Sequence, residues 1–173
     1  MVDLISLLKE GDLRSIGKVP EVLELVQSDP RLFSNLINHM AHEDPGIRMR
    51  ASDAVEKISR THPEYLQPYT DFLLKTALHQ AQQEVRWHMA QIVTRMDLKA
   101  AEKSYVVEVL FTYLKDPSKI VQTNTLQALV ELAWKEDELF VKVRQEVERL
   151  AYLGSPAVKN RAENLVAKMV RKP

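Results

Sequence analysis

The chain has 173 residues, 45% hydrophobic and 28% charged, with 24 basic against 24 acidic side chains and no cysteine. That length suffices for one domain with a sizeable core. Zero net charge argues against a dedicated nucleic-acid binder, the missing cysteines exclude disulfides and thiolate chemistry, and no apolar run approaches the ~18 residues of a membrane span. Four glycines, no alternating Val/Ile/Thr-rich runs and no Asn-Gly or Asp-Gly pair leave little room for strands, so the expected class is all-α.

Residues 2–9 (VDLISLLK) read as a short helix closed by Gly11, not as a signal peptide, since a basic stretch and a small-residue cleavage site are both missing. The expected location is cytoplasmic; a reducing compartment is compatible with the missing cysteines but not required by them. Residues 19–27 carry a second short helix with Val19, Leu23 and Val26 on one side. Asp29-Pro30 opens a third, with Leu32, Phe33, Leu36, Ile37 and Met40 on its apolar face, ending near Glu43. Asp44 is then a good N-cap, and Pro45 occupies the first helical position, where a missing N–H costs nothing. His62-Pro63 opens a helix running to about His79, kinked at Pro68, with Leu66, Tyr69, Phe72, Leu73 and Ala77 inward. A further helix covers about Leu98–Lys115, with Val106, Val109, Leu110 and Tyr113 inward. Another covers about Glu136–Leu153, with Phe140, Val143, Val147 and Leu150 inward; Gly154 closes it and Ser155-Pro156 opens the last.

Between these first helices one pattern recurs. Ile47, Ala51, Ala54, Val55 and Ile58 fall on a narrow stripe of an amphipathic helix. Val85, Met89, Ile92, Val93 and Met96 repeat the spacing, as do Val121, Thr125, Ala128, Leu129 and Leu132, and Val158, Ala162, Leu165, Val166 and Met169. Asp44, Gln82, Ser118 and Ser155 precede the four starts, and Arg48, Arg86, Gln122 and Lys159 follow them. The period of about 37 residues marks an internal repeat. The expected organisation is one domain, 1–173: atypical N-terminal capping helices at 1–28, then repeats at 29–62, 63–97, 98–135 and 136–173.

Asp44-Pro45-Gly46-Ile47-Arg48 opening a second helix, the small Ala51 and Ala54, and a proline-kinked first helix resemble the HEAT repeat. The match covers roughly residues 30–171, although Gln83 and Lys119 replace the proline in two repeats. The resemblance implies a right-handed α-α superhelix, a solenoid of about five antiparallel helix pairs, with second helices lining a concave face. It also implies an adaptor or scaffold for a partner protein or peptide; a monomer is expected. Some proteins with related folds are enzymes: certain lyases, a di-iron hydroxylase and an alkylpurine DNA glycosylase group.

Opposite the stripe stand Met49, Asp53, Glu56 and Arg60, then Trp87, Gln91, Thr94 and Leu98, then Thr123, Gln127, Val130 and Trp134, then Asn160, Asn164, Ala167 and Arg171. Met49, Trp87, Gln91, Val130 and Trp134 form the expected binding face, because exposed aromatics are favoured interface anchors. The competing expectation is that they pack between repeats. Arg48, Arg50, Arg86, His88, Lys159 and Arg161 could form a basic ladder for phosphate or an acidic peptide, the basis of an alternative nucleic-acid-binding reading akin to DNA-lesion-binding relatives. The four second helices carry +6 and the rest of the chain −6, mostly from the last helix with Lys159, Arg161, Lys168, Arg171 and Lys172. Inter-repeat bonding is the plainer use of such a ladder, which fades at Gln122 and Asn124. His39 and His42, with Glu43, have metal-compatible spacing but no further ligand in sequence. His42-Glu43 is the only His-Glu pair, and Gln91 stands where the glycosylase resemblance would want an acid. No enzyme, cofactor or metal is expected.

Overall fold

The computed structural model describes residues 3–12, 15–134 and 136–170; Val2, Arg171 and Lys172, placed above by sequence, lie outside them. No strand occurs among the described residues. The helices are α1 (Leu4–Lys9), α2 (Val19–Ser28), α3 (Phe33–Asn38), α4 (Pro45–Ser59), α5 (Thr70–Lys75), α6 (Gln83–Ile92), α7 (Ala100–Tyr113), α8 (Lys119–Ala133), α9 (Asp137–Leu153) and α10 (Pro156–Met169). They gather into two compact units, Met1–Asp97 and Leu98–Pro173, divided between two of the repeats the sequence delineates.

In the first unit the first helices of the repeats are composites rather than single helices. Tight 3-10 turns at Pro30–Leu32 and His39–Ala41 flank α3, and others at Pro63–Tyr69 and Ala77–His79 flank α5. Pro68 explains the second case: it cannot donate within a helix, so the chain stays 3-10 until α5 starts at Thr70. The Asp44 carboxylate caps α4 as expected, accepting from the N–H groups of Gly46 (2.7 Å) and Ile47 (3.1 Å).

Helix α4 is the centre of this unit, packed by α1, α2, α3, the two 3-10 turns before and after it, and α6. Its predicted stripe is buried in full, but so are Met49, Arg50, Ser52, Glu56 and Ser59. Burial on one face alone holds for a helix at the margin of a layer. Here the other side is covered too, by α1 at Arg50 and by α6 and the residues after it at Asp53 and Glu56, with Val22 rather than the expected Leu23 completing the α2 core.

Ala51 and Ala54 are fully buried where α4 contacts its neighbours. Ala54→Leu is therefore expected to overpack the contact and cost ~1–3 kcal/mol. Trp87 fluorescence in a Trp134→Phe background reports the denaturant midpoint of this unit. An unchanged midpoint would show that the interface has room to spare. Asp53→Leu, which the sequence alone marks as near-neutral, is no control for it: the Asp53 carboxylate accepts from Lys57 Nζ at 2.7 Å.

In the second unit α8 packs against α7, α9 and α10, and α9 against α10. Val121, Thr125, Ala128 and Leu129 of α8 and Val158, Ala162, Leu165 and Met169 of α10 are buried; Leu132 and Val166 are half-buried. The inward residues of α9 are Phe140, Val143, Val147 and Leu150, as the spacing predicts.

Candidate functional site

The basic ladder resolves mostly into structural clamps. Arg48 donates through Nη1 to the carbonyl of His42 at 2.7 Å, six residues back. Arg86 Nε reaches the carbonyl of Gln80 at 2.9 Å, and Gln122 Nε2 that of Asp116 at 2.6 Å, again six back. In each case the residue after the stripe start closes the turn by satisfying a carbonyl that the preceding helix leaves open. Gln122 does this with an amide, so the device needs a donor rather than a charge, and the fading of the ladder is explained. Arg48 also joins neighbouring repeats: its Nε donates to Gln82 Oε1 at 2.8 Å, and Gln82 Nε2 returns to the carbonyl of Pro45 at 2.9 Å.

Arg50 is a correction to the ladder, being 1% exposed. It donates to the carbonyls of Leu8 (3.0 Å), Ser15 (3.2 Å) and Asp12. Three of the four glycines crowd it. A Cβ built on Gly17 would meet Arg50 Nε at 2.9 Å, one on Gly46 would meet Nη1 at 2.9 Å, and one on Gly11 would meet Nη2 at 3.0 Å. Gly11 and Gly17 also sit at positive φ, 102° and 52°. The guanidinium thus pins the segment between α1 and α2 to the central helix.

His88, another rung, is also buried. Its Nε2 accepts from Trp87 Nε1–H at 3.0 Å, since an indole nitrogen can only donate. The Asp53 carboxylate lies 3.5 Å from the same nitrogen. Burial alone would raise that carboxyl, but its hydrogen-bonding and charged neighbours, Lys57 among them, outweigh it and hold it below its ordinary value.

The expected binding face is corrected in part. Met49 and Val130 are buried, so neither presents an anchor to a partner. Met49 lies on the central helix of its unit, and Val130 lies on a helix with three packed neighbours. Trp87, Gln91 and Trp134 are half-buried. Trp134 stands edge-on to Phe140 with ring centroids 5.8 Å apart, tying the end of α8 to α9. Glu56, on the supposed solvent side, is buried with two guanidiniums: Arg60 at 2.7 Å and Arg95 at 2.7 Å.

An open recess between two second helices lies in the second unit, between α8 and α10. A groove of about 570 Å³ is lined by Thr123 and Gln127 from α8 and by Asn160, Arg161, Asn164 and Lys168 from α10, with Ala157 and Leu165 beneath. No acidic side chain lines it. Arg161 Nη1 rests on Gln127 Oε1 at 3.3 Å, while Gln127 Nε2 donates to Glu131 at 2.7 Å. The Asn164 amide donates to the Asn160 side-chain oxygen at 2.8 Å. Lys159, Arg161 and Lys168 form no ion pair among the described residues. The pattern placed Thr123, Gln127, Asn160 and Asn164 on this side of their helices; weighting aromatics over amides and cations sent the sequence-based choice elsewhere. The charge concentrated on the last helix was the signal that pointed here.

Among the described residues no three His, Cys, Asp or Glu side chains are placed to hold a metal ion. His39 and His42 serve local structure: Nε2 of the first meets Asn35 Oδ1 at 3.0 Å, and Nδ1 of the second accepts from the Asp44 N–H at 3.0 Å. Nor is any helix among the described residues long and apolar enough to cross a membrane.

A recurrent stripe on every second helix, a repeated carbonyl clamp and an open second-helix groove define an all-α helical-repeat protein of the solenoid class. The sequence matches the HEAT repeat domain over residues 11–169, and the chain belongs to that family. A search of curated proteins finds no match. Among solved structures, an engineered protein whose crystal structure comes from the Northeast Structural Genomics Consortium is similar, with a TM-score of 0.65 and 16% identity. The likeness covers 98% of this chain and 78% of that one and, at such identity, speaks to fold alone. HEAT repeats are generally non-catalytic scaffolds that bind protein partners.

Proposed function

We propose that the chain is a non-catalytic interaction module that seats a partner protein against the second helices α8 and α10. The observation that supports this is the groove between them, an open polar recess whose cations have no acid partner among the described residues. In the first unit the matching positions of α4 are spent on packing and ion pairs: Met49 and Glu56 are buried and Asp53 holds Lys57. Nucleic-acid binding through the ladder is the weaker reading, because Arg48, Arg50 and Arg86 already serve backbone carbonyls.

Asn164→Trp fills the groove without touching the core, since Asn164 is exposed. Proteins that co-purify with the full chain are expected to be lost from this variant and kept by Lys142→Trp on α9. Retention of the same partners by Asn164→Trp would dispose of the groove as the docking surface, provided amide exchange shows both variants folded.

A further inference from the structure

Resting on that reading, we infer that the α8–α10 groove receives an extended acidic segment of a partner protein. Arg161 supplies the main evidence. One nitrogen of its guanidinium is held by Gln127, so the planar fork is positioned across the groove while its remaining donors stay uncommitted. A carboxylate is the group such a fork accepts bidentately. Lys168 offers a second cation on the same helix, seven residues on. At about 1.5 Å rise per residue the two lie ~10 Å apart along the α10 axis. An extended peptide advances about 3.3 Å per residue, so acidic side chains two to four residues apart would reach both.

The rest of the lining suits a peptide backbone. With Gln127 taken up by Arg161 and Glu131, the Asn160 amide nitrogen and the Asn164 side-chain oxygen supply a donor and an acceptor for the C=O and N–H groups of a bound strand. Ala157 and Leu165 give a small apolar floor. A nucleic acid finds less here. No aromatic residue lines the groove to stack a base, and two cations neutralise few phosphates compared with the six to ten contacts typical of duplex binders.

The experiment uses the full chain and three fluorescein-labelled probes. One is a Ser/Gly peptide carrying Glu residues three apart, the second is the same peptide with Gln for Glu, and the third is single-stranded DNA. The Glu peptide is expected to bind at about 50 mM salt and the Gln peptide at least ~10-fold more weakly. Arg161→Glu or Lys168→Glu is expected to weaken the Glu peptide ~10-fold, and Lys142→Glu on α9 by no more than about twofold. Both groove cations are exposed, so these variants fold. Equal binding of the Gln peptide, indifference to Arg161→Glu, or tighter binding of the DNA with a steep salt slope would each overturn the inference. The two levels of the argument separate cleanly. A cellular partner lost from Asn164→Trp but held by Arg161→Glu leaves the groove as docking surface and removes the acidic segment. A partner held by both variants removes the groove as well.

Discussion

Arg50→Met is expected to lower the stability of the first unit by ~3–5 kcal/mol, the largest loss of any single change to the second helices. Methionine fills much of the same space but donates nothing, so the carbonyls of Leu8, Asp12 and Ser15 lose their donor together. An unsatisfied acceptor costs about 1–3 kcal/mol when buried, and less where it can turn to water, as those of the exposed Asp12 and Ser15 can. The segment between α1 and α2 then loses the side chain that pins it to α4. Each unit holds one tryptophan, so Trp87 in a Trp134→Phe background follows the first unit and Trp134 in a Trp87→Phe background the second. The first signal should shift strongly in denaturant. A shift of the Trp87 midpoint worth less than ~1 kcal/mol would show that the clamp is ornamental to stability. Gly17→Ala is expected to destabilise the same segment, because at a backbone φ of 52° its methyl group would strike the Glu10 carbonyl oxygen as well as Arg50 Nε.

The stripe was legible in the sequence because it is a local property. Helical periodicity decides which residues of α4, α6, α8 and α10 face inward, whatever packs there, and nearly every stripe residue is buried. Caps were legible for the same reason at Asp44 and Ser118, whose side chains accept from nearby N–H groups, but not at Gln82 or Ser155, which cap nothing. The opposite face was not legible, since its exposure depends on which other elements reach it. Nothing local to Arg50 or Glu56 records that α1 and the segment after it reach the one and that Arg95 reaches the other. Polar character misled most at Arg50: a cation reads as surface, yet here backbone carbonyls and three glycines make a pocket of its own shape. The groove was half legible. Its amides and cations fell on the groove side of α8 and α10, but whether they are open depends on what else packs there, which is not a local property.

Glu56→Gln is expected to cost ~2–3 kcal/mol at neutral pH and to flatten the acid limb of the stability curve. The Glu56 side chain is 2% exposed, and it accepts from Arg60 Nε (3.0 Å) and Nη2 (2.7 Å) and from Arg95 Nη2 (2.7 Å). Arg95 also donates to the Glu56 carbonyl at 3.2 Å and to Ser59 Oγ at 3.0 Å, so the carboxylate anchors the residues after α6 onto α4. Glutamine keeps the shape but presents an amide N–H₂ to one of two guanidiniums, donor against donor. Breaking a fully buried pair from one side costs about 3–5 kcal/mol; Arg60 is more than half exposed and Arg95 partly so, and their access to water reduces the loss. The pH dependence follows from the carboxyl itself. Burial would raise it, but the hydrogen bonds and charges of Arg60 and Arg95 prevail and hold it below its ordinary value. A carboxyl depressed on folding contributes stability that is complete above its unfolded value of about 4.3 and is lost as pH falls toward the lower folded value. Wild type and Glu56→Gln should therefore differ most near neutrality and converge as pH drops through the carboxylate range. Asp53 and the other carboxylates titrate in both proteins, so their share of the acid limb cancels in the difference. Denaturant midpoints of the Trp87 signal across that range give the comparison. Parallel acid limbs, at whatever offset, would mean that Glu56 titrates alike folded and unfolded and that the two arginines do not hold its charge.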